Sequence, residues 1–170
     1  MLVLENSAGA GWGVGTNVDE LASIAEAIDR RGVPARRVGF CLDTAHAWGA
    51  GIDLGEPAAV DAFLDELEAR IGLDRLVMVH LNDSRSERGS RLDRHEHLGA
   101  GRIGAAGLAH LLRHPGLARA LHILETPGMG EGYDAVNVRR AQRLAAGQSI
   151  DDLPPEAFDL RGSRARTAPP

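Results

Sequence analysis

The sequence repeats one pattern four times: a short apolar run, a carboxylate or imidazole at its end, and then a segment with helical spacing. The apolar runs are Leu2–Leu4, Val38–Leu42, Leu76–Leu81 and Ala120–Leu124. Runs that are apolar throughout are typical of strands covered on both faces, as in parallel sheets. Since strand–helix–strand units cross over with a right hand, the repeat predicts a parallel sheet or part of a (β/α) barrel.

Helical spacing follows each run and predicts four helices. These are Val18–Arg30, capped by Thr16 or Asn17, then Pro57 to about Ile71, about Ala105 to Arg113, and roughly Ala135 to Ala146. Four βα units are half of the eight that close a barrel. The fold class we predict is therefore α/β, a partial (β/α)8 TIM barrel whose units correspond to strands 5–8. We assign residues 1–147 to this half-barrel and 148–170 to a Pro/Arg-rich tail that is flexible towards its end.

Every predicted strand ends in a metal-ligand residue type. Glu5, Asp43 with His46, and Glu125 follow their runs, and His80 lies at the end of the third run. Because the carboxyl ends of parallel strands emerge on one face, where barrels place their chemistry, we expect these side chains to converge. A single acid at a strand end is more often a helix cap or turn residue, but coincidence at all four ends is a weaker explanation. Mixed nitrogen and oxygen ligands favour zinc, manganese or magnesium.

The segment from His80 to Gly104 is a long stretch with no helical or strand period of its own, and we predict a loop. Asp93 and His95 alternate in it, so an extended chain places both on one side, where they could complete a further metal site with His46. His97 is left open as a ligand or a supporting residue. Arginines in this segment, Arg88, Arg91 and Arg94, are either a solvated charged surface or contacts to a phosphate backbone.

The remaining features exclude more than they suggest. The glycine-rich SAGAGWGVG follows no phosphate-binding spacing, so we interpret it as a loop, and His110, His114 and His122 are expected to have no catalytic role. The formal net charge of −5 argues against nucleic acid unless bound cations reverse the local sign. No window is apolar enough for a membrane span and no signal peptide precedes the first strand. With the single Cys41, this favours the cytoplasm.

Four segments carry a family resemblance: LENSAG, GFCLDTAH, HLNDSRSERGSRLDRHEHLGAGRIG and ILETP. In order and spacing, across about residues 2 to 146, they closely resemble the endonuclease IV family of apurinic/apyrimidinic endonucleases. The resemblance implies a (β/α)8 barrel holding three zinc ions. It also implies cleavage of the DNA backbone on the 5′ side of an abasic site in base excision repair, which leaves a 3′ hydroxyl.

Carried over residue by residue, the resemblance makes Glu5 a carboxylate bridging two zincs. Asp43, His80 and Glu125 join it on the second zinc. His46, Asp93 and His95 hold the third. Glu125 orients or deprotonates the attacking water, and Arg94 and, more weakly, Arg91 meet phosphates of double-stranded DNA.

The family has two further ligands, histidines from the front half of the barrel, that this sequence lacks. We therefore expect two zincs or fewer, and weak or no activity of the half-barrel alone. An open half-barrel also leaves its outer strands as unpaired edges, through which copies could self-associate.

Two alternatives stay open. A sugar isomerase or epimerase barrel uses a similar Glu, Asp, His and Glu set with one manganese or magnesium, but it lacks the segment that contains Asp93 and His95. A truncated, non-catalytic fragment could instead bind metal or serve as an interaction module.

Overall fold

A computed structural model describes residues 1–159 of the chain. Its main sheet has four parallel strands in the order β1 (Leu2–Glu5), β2 (Val38–Asp43), β3 (Leu76–His80) and β6 (Leu121–Ile123). The prediction of a parallel sheet from a partial barrel is confirmed. The strands are shorter than predicted at Leu81, Ala120 and Leu124.

Helices follow the strands as predicted: α1 (Val18–Arg30), α3 (Pro57–Arg70), α4 (Gly104–Arg113) and α5 (Tyr133–Ala145). Asn17 caps α1, because its side chain accepts a hydrogen bond from the backbone N–H of Glu20 at 2.9 Å. Short 3₁₀ helices lie at Ala35–Arg37, Leu73–Arg75, Pro115–Leu117, Met129–Glu131 and Pro155–Phe158. None of the helices among residues 1–159 combines the length and the apolar character of a membrane span.

Two elements were missed by the sequence analysis. Helix α2 (Thr44–Gly49) is additional to the four predicted helices, and a small antiparallel hairpin pairs β4 (Asp83–Ser84) with β5 (His95–Glu96) inside the long segment. Helix α2 is only six residues long, so it has no apolar period to detect. The expectation that His80 to Gly104 contains no strand was wrong.

The core lies between the sheet and its helices. Leu42 and Val79 of the sheet are buried among α3 and α4 side chains such as Leu64 and Leu108. Side chains alternate along a strand, and the opposite face is covered less: Leu121 of β6, which pairs with Met78, is 59% exposed. One helix-covered face and one open face are what an incomplete barrel presents.

Part of the predicted tail contacts the body of the chain. Arg140 of α5 donates to the carbonyl of Asp151 at 2.6 Å, Ile150 packs against the core, and Ala157 is buried. The remainder of the predicted tail, residues 160–170, lies outside the described residues. The domain boundary at residue 147 stays a prediction.

Candidate metal centre

The strand ends bring the predicted ligands together around His80. Its Nδ1 atom lies 3.1 Å from Oε1 of Glu5, 3.4 Å from Oε2 of Glu125 and 3.8 Å from Oδ2 of Asp43. The register explains this placement, because Asp43 and His80 are partners on neighbouring strands and Glu5 lies two residue pairs earlier, beside Cys41. Glu125 follows β6 by two residues. Three carboxylates and one imidazole thus converge at one end of the sheet.

A second group of ligands forms around Asp93. Its two carboxylate oxygens lie 3.0 Å from Nε2 of His95 and 3.3 Å from Nε2 of His46. His46 reaches this place because α2 turns away from the sheet directly after Asp43, while His95 arrives from β5. The alternation of Asp93 and His95 does place both on one side, as the sequence predicted.

The two groups are continuous. Oδ2 of Asp43 is 3.7 Å from Nε2 of His95 as well as 3.8 Å from His80, and Oε1 of Glu5 is 3.3 Å from Nδ1 of His46. Sets of ligand atoms that lie within 4.8 Å of one another include Asp43–His80–Glu125 and Asp43–His46–His95, which share Asp43. The two groups of ligands therefore lie side by side and share Asp43.

A third such set contains Cys41 with Glu5 and His80. Burial raises the pKa of the Cys41 thiol to about 12, with the nearby carboxylates adding to the effect. The thiol is therefore protonated at neutral pH in the metal-free chain, and a cation would have to displace this proton before Cys41 could bind it.

Backbone carbonyls orient two of the imidazoles. Nδ1 of His46 donates to the carbonyl of Asn6 at 3.0 Å, and Nδ1 of His95 donates to the carbonyl of Glu125 at 2.8 Å. This leaves Nε2 of each ring facing Asp93, and in metal-binding histidines it is likewise the second ring nitrogen that an outer hydrogen bond orients. Nε2 of His95 is buried, 3.0 Å from Oδ1 of Asp93 and 3.7 Å from Oδ2 of Asp43. A buried ring nitrogen between two carboxylates fits a cation site.

The carboxylates perturb the imidazoles that they face. Burial by itself would lower the pKa of His46, but the hydrogen bond to Asp93 and the charge of Asp43 outweigh it and raise the pKa to about 9. The pKa of His95 is raised for the same reasons. The pKa of Asp93 is held well below its usual range by its hydrogen bonds to His46 and His95. In the metal-free chain, a proton on His46 therefore supplies positive charge at this centre at neutral pH.

Two asparagines support the ligands and were not assigned a role from the sequence. Asn82 is fully buried; its Nδ2 donates to Oδ2 of Asp43 at 2.7 Å and its Oδ1 accepts from the N–H of Glu125 at 2.9 Å. Asn6 accepts from the N–H of Asp43 at 2.7 Å and donates to its carbonyl at 3.0 Å. Each is an amide beside a strand end, and that is the only sequence signal that could have found them.

The carboxylate of Asp83 links the beginning and the end of the long segment. Its buried carboxylate accepts hydrogen bonds from the N–H groups of Ser84 at 2.7 Å and of Gly101 and Ile103 at 2.9 Å. Burial raises the pKa of Asp83, against the lowering effect of these donors. A Cβ at Gly101 would lie 2.5 Å from Oδ1 of Asp83, so only glycine fits there. This anchor fixes both ends of the segment that carries Asp93 and His95.

The arginines predicted to meet DNA lie on the exposed side of that segment. Arg91 and Arg94 are both exposed, and Arg94 donates to the carbonyl of Asp93 at 2.7 Å. Arg91 has a positive φ of 59°, the only one outside glycine among residues 1–159, held where its N–H bonds the carbonyl of Gly49 at 2.9 Å. Such backbone strain is typical of functional loops.

His97, left open by the sequence, is not a ligand. Its Nε2 donates to the carbonyl of Ala157 and its Nδ1 accepts from Nδ2 of Asn137, both at 2.9 Å, and it is fully buried. Both ring nitrogens are therefore committed to structural hydrogen bonds. Away from the centre, His110 pairs with Asp61 of α3 at 2.6 Å.

Comparison with known proteins places this geometry in context. The family model described as xylose isomerase-like TIM barrel matches residues 1–151. A probable endonuclease 4 from Methanoculleus marisnigri is 48% identical over 145 residues, which cover 85% of this chain and 50% of that protein. One from Oleidesulfovibrio alaskensis is 46% identical over 146 residues, covering 85% and 48%.

A solved structure matches a similar share of the chain. The crystal structure of endonuclease IV from Thermus thermophilus is similar with a TM-score of 0.72 and 40% sequence identity, covering 86% of this chain and 50% of that one. The chain thus spans about half the length of the relatives that it matches.

Proposed function

The chain belongs to the xylose isomerase-like TIM-barrel family, among its endonuclease IV members, and on that premise we propose that it supports zinc-dependent hydrolysis of DNA. The reaction is cleavage of the phosphodiester 5′ to an abasic site in base excision repair. The observation that carries the proposal is the continuous centre of four carboxylates and three imidazoles around Asp43. Clustered divalent cations are the usual apparatus for phosphodiester cleavage.

Zinc ions fit the donor set. Asp43, His80 and Glu125, with Glu5, would hold one, and His46, Asp93 and His95 would hold another. Bound there, zinc lowers the pKa of water and stabilises charge on the phosphate oxygens. Four carboxylates balance two divalent cations, so we propose two zincs for this chain, against the three of the family.

The protein groups have distinct roles in the proposed reaction. Glu125, whose side chain is 46% exposed, orients the attacking water and takes its proton. Glu5 lies between His46 and His80 and would supply a carboxylate ligand between the two groups. Asp43 is buried and fixed by Asn82, so it holds its place without reaching the substrate. Arg94 and Arg91 position the DNA backbone, a contact that sets register rather than sequence.

The second group of ligands distinguishes this proposal from a one-metal sugar isomerase. An isomerase needs only the strand-end set, whereas Asp93 and His95 converge with His46 within 3.3 Å. Two zincs per chain would favour the nuclease; a single manganese or magnesium would favour the isomerase.

The open sheet supports a proposal about assembly. Among the described residues, β1 and β6 each pair on one side only, and a barrel closes with eight strands. We propose that β6 of one copy pairs with β1 of a second copy, which would also cover Leu2 and Leu121. The compartment that we propose is the cytoplasm, where the buried thiol of Cys41 stays reduced.

The direct test is incision of a duplex bearing one abasic site, with and without added zinc. Because the chain spans half of its relatives, we expect weak zinc-dependent nicking on the 5′ side, and His95→Ala should abolish it. His110→Ala is the matched control, because it removes an equivalent histidine–aspartate pair outside the centre. Absence of zinc from the purified chain, or equal nicking by His95→Ala, would contradict the proposal.

A further inference from the structure

The indole of Trp12 is fully exposed to solvent. Its relative exposure is 103%, and it lies at the tip of the glycine-rich loop 7–15. The N–H of Ser7 donates to the carbonyl of Gly15 at 2.9 Å and closes the base of the loop. Gly11, with φ of 65°, turns the tip so that Trp12 points outwards. A large aromatic side chain held fully in water by a shaped loop is uncommon, so Trp12 is a candidate contact residue.

The loop 7–15 packs against the segment that carries Arg91. A Cβ on Gly9 would lie 3.7 Å from Cγ of Arg91, so the stem of that side chain crosses the base of the loop. A Cβ on Gly49 would lie 3.2 Å from Cβ of Ala8 and 3.1 Å from the carbonyl oxygen of Leu92. Two loops thus meet beside the metal centre, one ending in Trp12 and the other exposing Arg91.

The residue types of these two loops indicate what kind of molecule binds there. The loop of Trp12 begins two residues after Glu5, a ligand of the centre, and Arg88, Arg91 and Arg94 lie exposed on the neighbouring segment. Aromatic side chains next to arginines bind nucleic acids by stacking on bases while the guanidinium groups meet phosphates. A base inside an intact duplex is already stacked on both sides, whereas an abasic site interrupts the stack.

We propose that Trp12 stacks on a base at the interrupted step of the duplex and so favours DNA with a missing base over intact DNA. This inference rests on the proposed function, since it takes the abasic strand to lie at the metal centre. Trp12 is a positioning and specificity residue in this scheme, and it does not touch the reacting phosphate.

The chain contains two tryptophans, and this permits a direct measurement. Trp48 is 9% exposed and donates from Nε1 to the carbonyl of Ser86 at 2.9 Å, so acrylamide quenches mainly Trp12 in the unaltered chain. The probe is a duplex with one abasic nucleotide and a 5′ phosphorothioate that slows cleavage. We expect this duplex to protect Trp12 from acrylamide, and an intact duplex of the same sequence to protect it much less.

Substitution gives a second readout. Trp12→Ala should weaken binding of the abasic duplex by about 5- to 150-fold, the range found for loss of one base–aromatic stack, and should raise KM with little change in kcat. Trp12→Phe should keep most of the affinity. Val138→Ala is the matched control, because it truncates another exposed apolar side chain, on α5. The position is fully exposed, so folding should be unaffected, which a thermal melt checks.

The outcomes separate the two proposals. Equal acrylamide quenching in a complex that anisotropy shows to be formed, equal protection by both duplexes, or binding by Trp12→Ala within twofold would each overturn the role of Trp12 and leave the nuclease proposal standing. Binding with protection of Trp12 but no incision would overturn the catalytic proposal alone. If the unaltered chain binds neither duplex, both the role of Trp12 and the nuclease proposal are overturned.

Discussion

Replacing Asn82 by alanine should damage the metal centre and the fold together. Asn82 is fully buried, and its amide joins Oδ2 of Asp43, at 2.7 Å, to the backbone N–H of Glu125, at 2.9 Å. Both partners are parts of the centre. The substitution removes the donor to a buried carboxylate and the acceptor of a backbone N–H without replacing either.

The size of the effect follows from these two contacts. A hydrogen bond to a charged group contributes roughly 1.5–3 kcal/mol and one between neutral groups about 1 kcal/mol. Asp43 is completely buried, so water cannot easily replace the lost donor. We expect the free energy of unfolding of the metal-free chain to fall by about 3 kcal/mol. Loss of a hydrogen bond to a metal ligand typically weakens metal binding about 10- to 100-fold.

Two assays measure these quantities: urea denaturation of the metal-free chain, and competition for zinc with a chromophoric chelator. Asn137→Ala is the matched control. Asn137 is also fully buried; it donates to Nδ1 of His97 at 2.9 Å and accepts from the N–H of Leu98 at 3.0 Å, away from the centre. The control should lose stability by a similar amount and keep its zinc affinity. If both variants bind zinc like the unaltered chain, Asn82 is only a structural residue and the reasoning is wrong.

Three further predictions concern metal, pH and assembly. Elemental analysis should find two zincs per chain and about one in His95→Ala, with His110→Ala unchanged; loss of all metal in His95→Ala would mean that the positions cannot be filled separately. In the metal-free chain, the raised pKa of His46, about 9 against 6.5, stabilises the fold fully below pH 6.5 and this contribution disappears as the pH rises through about 9. Because Asp93 is 54% exposed, this loss of stability should be on the order of 1 kcal/mol. Urea denaturation below pH 6.5 and above about pH 9 measures it, and Asp93→Asn should abolish the difference between the two. If the pH dependence is the same in Asp93→Asn, the contact between His46 and Asp93 contributes nothing to stability. Leu121→Lys should shift the chain from dimer to monomer in sedimentation, since it places a charge on the exposed edge strand β6, whereas Val138→Lys should not; a monomer at all concentrations before substitution would refute pairing of the edges.

The sequence predicted the parts of the fold that depend on local pattern. Apolar runs located β1, β2, β3 and β6, and the residues at their ends converge because parallel strands share a direction. The approach of Asp93 and His95 to His46 was expected from alternation and from the family resemblance. Local pattern is enough for these features.

Two kinds of feature were missed. Helix α2 begins with a local cap, in which Oδ1 of Asp43 accepts from the N–H of His46 at 2.8 Å, but its six residues are too few to show an apolar period. The β4–β5 hairpin depends on long-range hydrogen bonds, because it is held near Asp83, whose partners lie up to 21 residues away. Asn82 meets Asp43 across 39 residues and Glu125 across 43. A single sequence contains no local sign of such pairs.

Asp43 has a consequence for how the centre fills. One oxygen of its carboxylate starts α2 and thereby holds His46, and the other lies between His80 and His95. A cation on the second oxygen would bind the same carboxylate that caps α2, so filling one position is coupled to the helix that presents the next ligand. Amide hydrogen exchange in α2 should therefore slow when the first equivalent of zinc is bound.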